Sequence, residues 1–402
     1  MHLSEQSVAE PPPARARAPL GVLAAALLFN LGQGVLRPSL PLYLQHVFGA
    51  NYRMVTLIPV VFGAGKWVSS LPTGYLLDRL GRRRLMVSGL VVTALSDVAS
   101  VMTAAYGLFL GARGVAGAGW AMFATVATTT MVDRARDRRG QAVSLLLMSE
   151  TLGLLLGSVA GGWLYRGAGT ASPFLFEAGC MLVAAAVVTG WPTASRPPAS
   201  PAPADRRLLR QVVGTPGVLL ACGTNAVLMG IQTGVVVFLV PLYLVERGRL
   251  GPEVVGYMVA LGVLGRLLGL WLAGGLAHPG ERLRALGLGL LIYAAVLGSL
   301  TFVIDPVLLG IWSLLLGGGA GFVAGLPTTI VGDRVDESLH GVAVGWLRTV
   351  TDLGMLLGPL VTGALADAAD LTTPFRGAAV VLGVLAWRCA TVRVTDRPEV
   401  SR

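Results

Sequence analysis

Eight ionisable side chains sit deep inside stretches that are otherwise apolar: Arg37, Lys66, Asp97, Arg113, Glu150, Arg266, Arg348 and Asp352, with Glu177 and Arg388 nearer the ends of such stretches. Acids and bases held away from water can do one of two things. They can form fixed ion pairs that tie neighbouring elements together, or they can exchange a proton and so switch a pairing on and off. Lys66 is the sole lysine, although arginines abound. Asn30, Gln33, Asn225 and Gln232 add amides to the same kind of apolar surroundings. They can line a polar cavity or join helices through hydrogen bonds.

The elements that carry these groups are long apolar runs. Hydrophobic residues make up 54% of the 402-residue chain and charged residues only 13%, against roughly 25% charged in soluble domains. A soluble fold of this composition would have nowhere to put its surface, whereas a bilayer accepts apolar side chains on the outside of a bundle. Twelve runs are long enough to span ~30 Å at ~1.5 Å per residue. They cover residues 20–46, 53–76, 85–105, 107–131, 141–165, 172–192, 215–246, 253–277, 285–304, 306–331, 341–366 and 373–393. An all-α integral membrane protein is therefore expected, with the lipid bilayer as its solvent. Arg15 and Arg17 precede the first run, but no small-residue cleavage site follows it, so it reads as a spanning helix.

In a membrane an ionisable group near the bilayer centre costs at least ~2.5–3.5 kcal/mol, so each needs a partner or a wet cavity. Counting from the run ends puts Lys66 and Arg266 ~15 Å deep, Glu150 ~14 Å and Asp352 ~16 Å. Two bases and two acids thus share one level.

The formal charge of +10 would raise nucleic acid binding in a soluble protein. Here the arginines lie mostly in short loops, so they orient the chain instead. The tails and the loops on their side hold twenty arginines and the opposite loops five, which expects both termini in the cytoplasm. A multi-pass protein of the cell inner (plasma) membrane is the expected localisation. Cys180, Cys222 and Cys389 lie in apolar runs without metal spacing, and His2, His46, His278 and His340 are scattered. No metal, cofactor, nucleotide loop or nucleophile motif is expected, and no enzyme.

The two halves repeat at an offset of 200 to 201 residues. Pro41-Leu-Tyr-Leu44 recurs as Pro241-Leu-Tyr-Leu244, Gly65-Lys66 as Gly265-Arg266, Gly74 as Gly274, and Asp133-Arg134 as Asp333-Arg334. Six runs per repeat preserve topology, so the halves are related by an axis along the membrane normal, with a site expected between them near the midplane. The expected divisions are a tail at 1–19, a six-helix bundle at 20–192, a Pro- and Arg-containing linker at 193–214, a second bundle at 215–393 and a tail at 394–402.

Between the second and third runs lies Gly74-Tyr-Leu-Leu-Asp78-Arg79-Leu-Gly81-Arg82-Arg83-Arg84. It resembles the loop 2–3 signature of the major facilitator superfamily, and it stands where that family carries it. The resemblance covers the whole chain and implies alternating access by two rocking bundles. It also implies that Gly74, Asp78, Arg79, Gly81, Arg82 and Arg83 act as a conformational lock. Arg113-Gly-Val-Ala-Gly117-Ala-Gly119 is similar to the family's helix-four arginine motif, which is associated with proton coupling, with Ala116 in place of a usual polar residue. Gly153-Leu-Leu-Leu-Gly157-Ser158-Val-Ala-Gly161-Gly162 resembles the antiporter signature of the drug:proton exchangers, with Ser158 where a proline is expected; simple glycine-mediated packing is the other reading.

The family's architecture brings helices two and eleven, and five and eight, together between the halves. It therefore implies the inter-bundle pairs Lys66 with Asp352 and Arg266 with Glu150, with Arg348 competing for Asp352 from one turn away. Such pairs either couple protons to transport or only hold the bundles together. Arg113 joins this coupling group. Asn30, Gln33, Arg37, Asp97, Arg113, Asn225 and Gln232 are expected to line the substrate cavity, unless Asp97 neutralises Arg113. The resulting expectation is a monomeric secondary transporter that moves a small amphipathic molecule outward against protons. An organic-anion symporter is an alternative, and a non-transporting sensor on the same fold is another.

Overall fold

The computed structural model describes residues 20–134, 139–190, 217–274, 282–303, 305–335 and 340–391. The expected tails at 1–19 and 394–402 and the linker at 193–214 lie outside the described residues. The described chain is almost wholly helical. In order it forms α1 (Leu20–Phe48), α2 (Tyr52–Met102), α3 (Tyr106–Arg134), α4 (Arg139–Gly167) and α5 (Ser172–Gly190), then α6 (Val218–Ile231), a π-helical stretch (Gln232–Leu239) and α7 (Val240–Glu246). It continues with α8 (Pro252–Gly274), α9 (Arg282–Ser299), α10 (Pro306–Ala324), α11 (Leu326–Arg334), α12 (His340–Ala368) and α13 (Thr373–Thr391).

Nine helical stretches among the described residues are long and apolar enough to cross a membrane. Helices α3 and α13 also cover expected spans, but glycine, threonine and charge lower their hydropathy, and the first part of α2 is helical over a further expected span. The rods run antiparallel and alternate between two faces. One face, here the tail face, carries the start of α1, the end of α5 and the end of α13. The other, the far face, carries Phe48, Gly167, Glu246 and Ala368.

Two local features depart from plain helix, each with a cause in the sequence. Helix α2 breaks at Gly81, where φ is +75° and ψ is 161°. A left-handed φ is cheap only for glycine, so the residue that ends one rod and begins the next is the glycine of the Arg-rich loop. The π-helical stretch lies just before Pro241, which cannot donate to the ladder and crowds the carbonyl four residues back. Widening the turns there accommodates the proline. Its repeat counterpart, Pro41, is carried inside α1 beside Pro38 with no such widening.

Lipid gives no hydrophobic drive for helices to associate, so close packing of small residues does the work. The repeat recurs at this level. A Cβ on Gly117 would collide with the Phe62 carbonyl oxygen, and a Cβ on Gly317 with that of Gly262. Each member of the second contact lies 200 residues after its counterpart in the first. A buried core in the first half gathers Phe29, Met86, Phe123 and Met181. A larger one joins Tyr243, Tyr293, Trp312 and Phe375 to Tyr43, Phe109 and Phe174. Large apolar side chains such as Leu95, Leu182, Leu288 and Leu291 stay exposed on the outside, as a bilayer requires.

Candidate transport site

Four helices of the first half meet in a buried charged cluster. Asp97 on α2, Arg113 on α3 and Glu177 on α5 are almost fully excluded from the surface. An Arg113 terminal nitrogen donates to Asp97 Oδ1 at 2.5 Å and to Ser100 Oγ at 2.9 Å, and its Nε reaches the same hydroxyl at 3.2 Å. Gln33 on α1 donates to Glu177 Oε1 at 2.5 Å. The rings of Phe109 and Phe174 lie 5.8 and 5.3 Å from the Arg113 guanidinium carbon. Asp97 Oδ2 and Glu177 Oε2 are left without a donor, and the two carboxyl groups are close enough to act on each other. Two carboxyls against one guanidinium leave one negative charge in excess. A single proton between them would balance the charge and satisfy both oxygens.

This cluster corrects part of the expected cavity. Gln33, Asp97 and Arg113 are not among the residues that line the space between the halves: Asp97 neutralises Arg113, the alternative the sequence offered, and Gln33 bonds Glu177. Glu177 itself was legible only as a carboxylate in an apolar run.

The principal cavity, of about 360 Å³, lies between α1 and α4 on one side and the π-helical stretch, α8 and α10 on the other. Asn30, Arg37, Glu150, Gln232 and Arg266 line it, among apolar walls such as Val236, Val259 and Leu316. Asn30 and Arg37 lie seven residues apart on α1, two turns, and so share one face. Asn30 also donates to the Ala26 carbonyl at 3.0 Å. Arg37 and Arg266 come from opposite halves, close enough to repel each other. Arg266 and Glu150 both reach this cavity, but no ion pair within 4.0 Å joins them. Asn225 instead lines a small adjoining pocket with Tyr293 and donates to Thr351 Oγ1 at 2.6 Å.

Lys66 on α2 does face Asp352 and Arg348 on α12 across the halves. Its ammonium, however, sits 3.6 Å above the Trp120 ring, and no ion pair within 4.0 Å forms with Asp352. An aromatic face holds the cation where a carboxylate was expected. Arg348 is exposed and Asp352 half-buried. In the Arg-rich loop Arg79, Arg83 and Arg84 are exposed, whereas Arg82 is buried. The side-chain surroundings of Gly74 and Asp78 lie outside the described residues.

At the far face polar contacts cross between the halves. Glu246 accepts from Gln45, and from the Tyr52 hydroxyl at 2.6 Å. Asp367 accepts the backbone N–H groups of Tyr52 at 2.9 Å and Arg53 at 3.1 Å, an acid placed on the N-terminus of α2 where helix and carboxylate attract. Arg166 pairs with Glu253, and Trp163 donates to the Tyr257 hydroxyl at 2.9 Å. Beneath them the backbones of α4 and α8 touch, with Gly162 against the Pro252 carbonyl. The cavity therefore lies under a seal.

The arrangement of paired halves, interior charges and a cavity between them has a counterpart in known proteins. The family model described as Major Facilitator Superfamily matches residues 22–355 and 249–402. The chain belongs to the major facilitator superfamily. Among curated superfamily relatives it is 24% identical over 401 residues to the Multidrug resistance protein MdtG of Serratia proteamaculans, covering 94% of each chain. It is 26% identical over 351 residues to the uncharacterized MFS-type transporter YcaD of Escherichia fergusonii, covering 86% of this chain and 87% of that one. Its fold matches the crystal structure of the nucleoside transporter NupG, with a TM-score of 0.73 at 12% identity, over 93% of this chain and 98% of that one. It also matches a bacterial homolog of the human lysosomal transporter Spinster, solved inward-facing and unoccupied, with a TM-score of 0.72 at 14% identity, over 95% and 96%. As a superfamily member this chain is a multi-pass membrane transporter of small molecules, not an enzyme.

Proposed function

We propose that this transporter works by alternating access, with twelve helices in two six-helix bundles at 20–192 and 215–393, and that it couples outward movement of a small amphipathic molecule to protons. The observation that carries the reading is a cavity between the halves, closed at the far face by contacts that cross from one half to the other. Such contacts must break if the cavity is to open there. The arginine bias puts the tails and the tail face in the cytoplasm, so the cavity awaits substrate from inside. The Arg-rich loop from Gly74 to Arg83 acts in this reading as a lock on the rocking motion. The chain acts as a monomer.

Proton coupling is supported by the Asp97–Glu177–Arg113 cluster. Gln33 connects it to α1, the helix that also presents Asn30 and Arg37 to the cavity. A proton that arrives or leaves there changes a hydrogen bond on a cavity-lining helix. Lys66, Arg348 and Asp352 form a second inter-bundle charge group in this reading, and Glu150 and Arg266 belong to the cavity. The outward direction draws on the name of the multidrug resistance relative.

The test is substrate-triggered collapse of a pH gradient in vesicles that contain the protein, with cationic, neutral and anionic compounds and with Glu177→Gln alongside. Compound-dependent proton flux, lost in the variant, is the expected result. Transport of a compound with no proton movement at all would sink the coupling. A second reading, carriage of an organic anion, is favoured by the two cavity arginines.

A further inference from the structure

The repeat makes Lys66 and Arg266 counterparts, yet the two halves treat them differently. In the first half the Lys66 ammonium lies 3.6 Å above the Trp120 ring. At the matching offset of 200 the second half has Ala320 in place of that tryptophan. Ala320 and Arg266 both line the cavity between the halves. The alanine leaves Arg266 bare where the tryptophan would have covered it. Arg37, from the opposite half, lines the same cavity and has no counterpart cation, because position 237 is Val237. Among the described residues neither guanidinium forms an ion pair within 4.0 Å or a side-chain hydrogen bond, and Glu150 in the same cavity is bonded to neither. Two like charges therefore share a mostly apolar space, near enough to repel, with their donors unused. That arrangement is costly when empty and is relieved by one negative charge placed between them.

We infer that Arg37 and Arg266 form an anion-binding subsite that takes the carboxylate or phosphate-like head of an amphipathic organic anion, with Gln232 beside it and the apolar walls holding the body. Guanidinium groups suit such heads because their planar forks can each give two parallel hydrogen bonds. Valines and leucines of α8, α10 and the π-helical stretch supply the surface for an aryl or alkyl body. A volume of about 360 Å³ lies within the ~300–1,000 Å³ range of small-molecule pockets. Because each half supplies one arginine, a bound anion would engage both halves at once, as a substrate that triggers their rocking must. The inference rests on the transport reading and names its substrate class.

The probe is 4-tert-butylbenzoate, compared with the neutral 4-tert-butylbenzamide, titrated calorimetrically into the full chain in detergent. The benzoate should bind at least about tenfold more tightly than the amide, and Arg37→Gln and Arg266→Gln should each remove that preference. Ala320→Trp, which keeps both charges but restores the cover found over Lys66, should weaken benzoate binding by a similar factor. It decides the matter if an arginine variant fails to fold. Equal affinity for acid and amide, or a preference that survives these changes, overturns the subsite. Added phosphatidylglycerol that displaces benzoate with the same arginine dependence and binds more tightly would reassign the site to a lipid headgroup and overturn the substrate claim. Counterflow of labelled benzoate in proteoliposomes separates the two readings. Binding without exchange keeps the site and sinks its role in transport, while exchange of other compounds without benzoate binding does the reverse.

Discussion

Asp97 and Glu177 approach each other from different helices in the interior of the first half, and each keeps one carboxyl oxygen without a donor. The other oxygens are occupied, by Arg113 and Gln33 respectively. A glutamine at position 177 can supply the missing hydrogen as an N–H donor but cannot release it. Glu177→Gln should therefore keep a thermal midpoint close to the parent while proton-linked flux falls by an order of magnitude or more. Asp97→Asn instead removes the carboxylate that accepts directly from Arg113 and leaves Glu177 as the cluster's one acid, at a cost of roughly 1.5–3 kcal/mol for the lost charged hydrogen bond. Thermal unfolding in detergent beside flux measurements reads both, and equal instability in the two variants would contradict the shared-proton arrangement.

The far-face seal should be trappable. With Cys180, Cys222 and Cys389 changed to alanine, Arg166→Cys and Glu253→Cys place two thiols where an ion pair now crosses the halves. Oxidation should join them and stop transport, and reduction should restore it. Full transport by the cross-linked protein would mean that these ends need not separate.

Glycine packing should be selective, even between two glycines of one helix such as Gly111 and Gly117 on α3. Gly117→Ala and Gly317→Ala each press a methyl group onto a backbone carbonyl of the neighbouring helix, at a cost of roughly 1–3 kcal/mol. Gly111→Ala and Gly223→Ala meet nothing within 4 Å, and should be neutral or stabilising because alanine suits a helix better. Thermal midpoints of the four purified variants check the contrast.

A small pH effect belongs to the far-face turn after α12. The Thr372 hydroxyl, the Leu371 backbone and Arg247 hold the exposed Asp370 carboxyl below the usual carboxylate range. Its folded value is depressed, so its contribution is complete above the unfolded carboxylate pKa of ~3.9 and is lost as pH falls through the lower folded value. Asp370→Asn should lower the thermal midpoint slightly at neutral pH, and the gap should close in strong acid. Solvent screening keeps the effect small, so a pH-independent gap would point to a lost hydrogen bond rather than a lost charge.

Periodicity and composition carried the helical membrane fold, the repeat and the placement of the Arg-rich loop, because bilayer thickness imposes run lengths and close helix contact imposes glycines at fixed offsets. Gly117 was readable in this way, within its motif, as was the break near Gly81. Of the charge partners, Arg113 with Asp97 was readable as one of two alternatives; the pairs between the halves were not. Depth along a helix can be counted from its ends, but facing depends on rotation about its axis, and a rotation of one residue in the 3.6-residue turn moves a side chain to another neighbour. Lys66 thus shares a level with Asp352 yet rests on Trp120, and Arg266 shares a level with Glu150 yet faces Arg37.

The sequence by itself determined what the lipid dictates: which segments are apolar, where their charges lie in depth, and that one half repeats the other. Only the tertiary structure decided which charges meet between the halves. That choice rests on helix rotation and on single side chains such as Trp120 and its counterpart Ala320, which leave the repeat intact while covering one buried cation and baring the other.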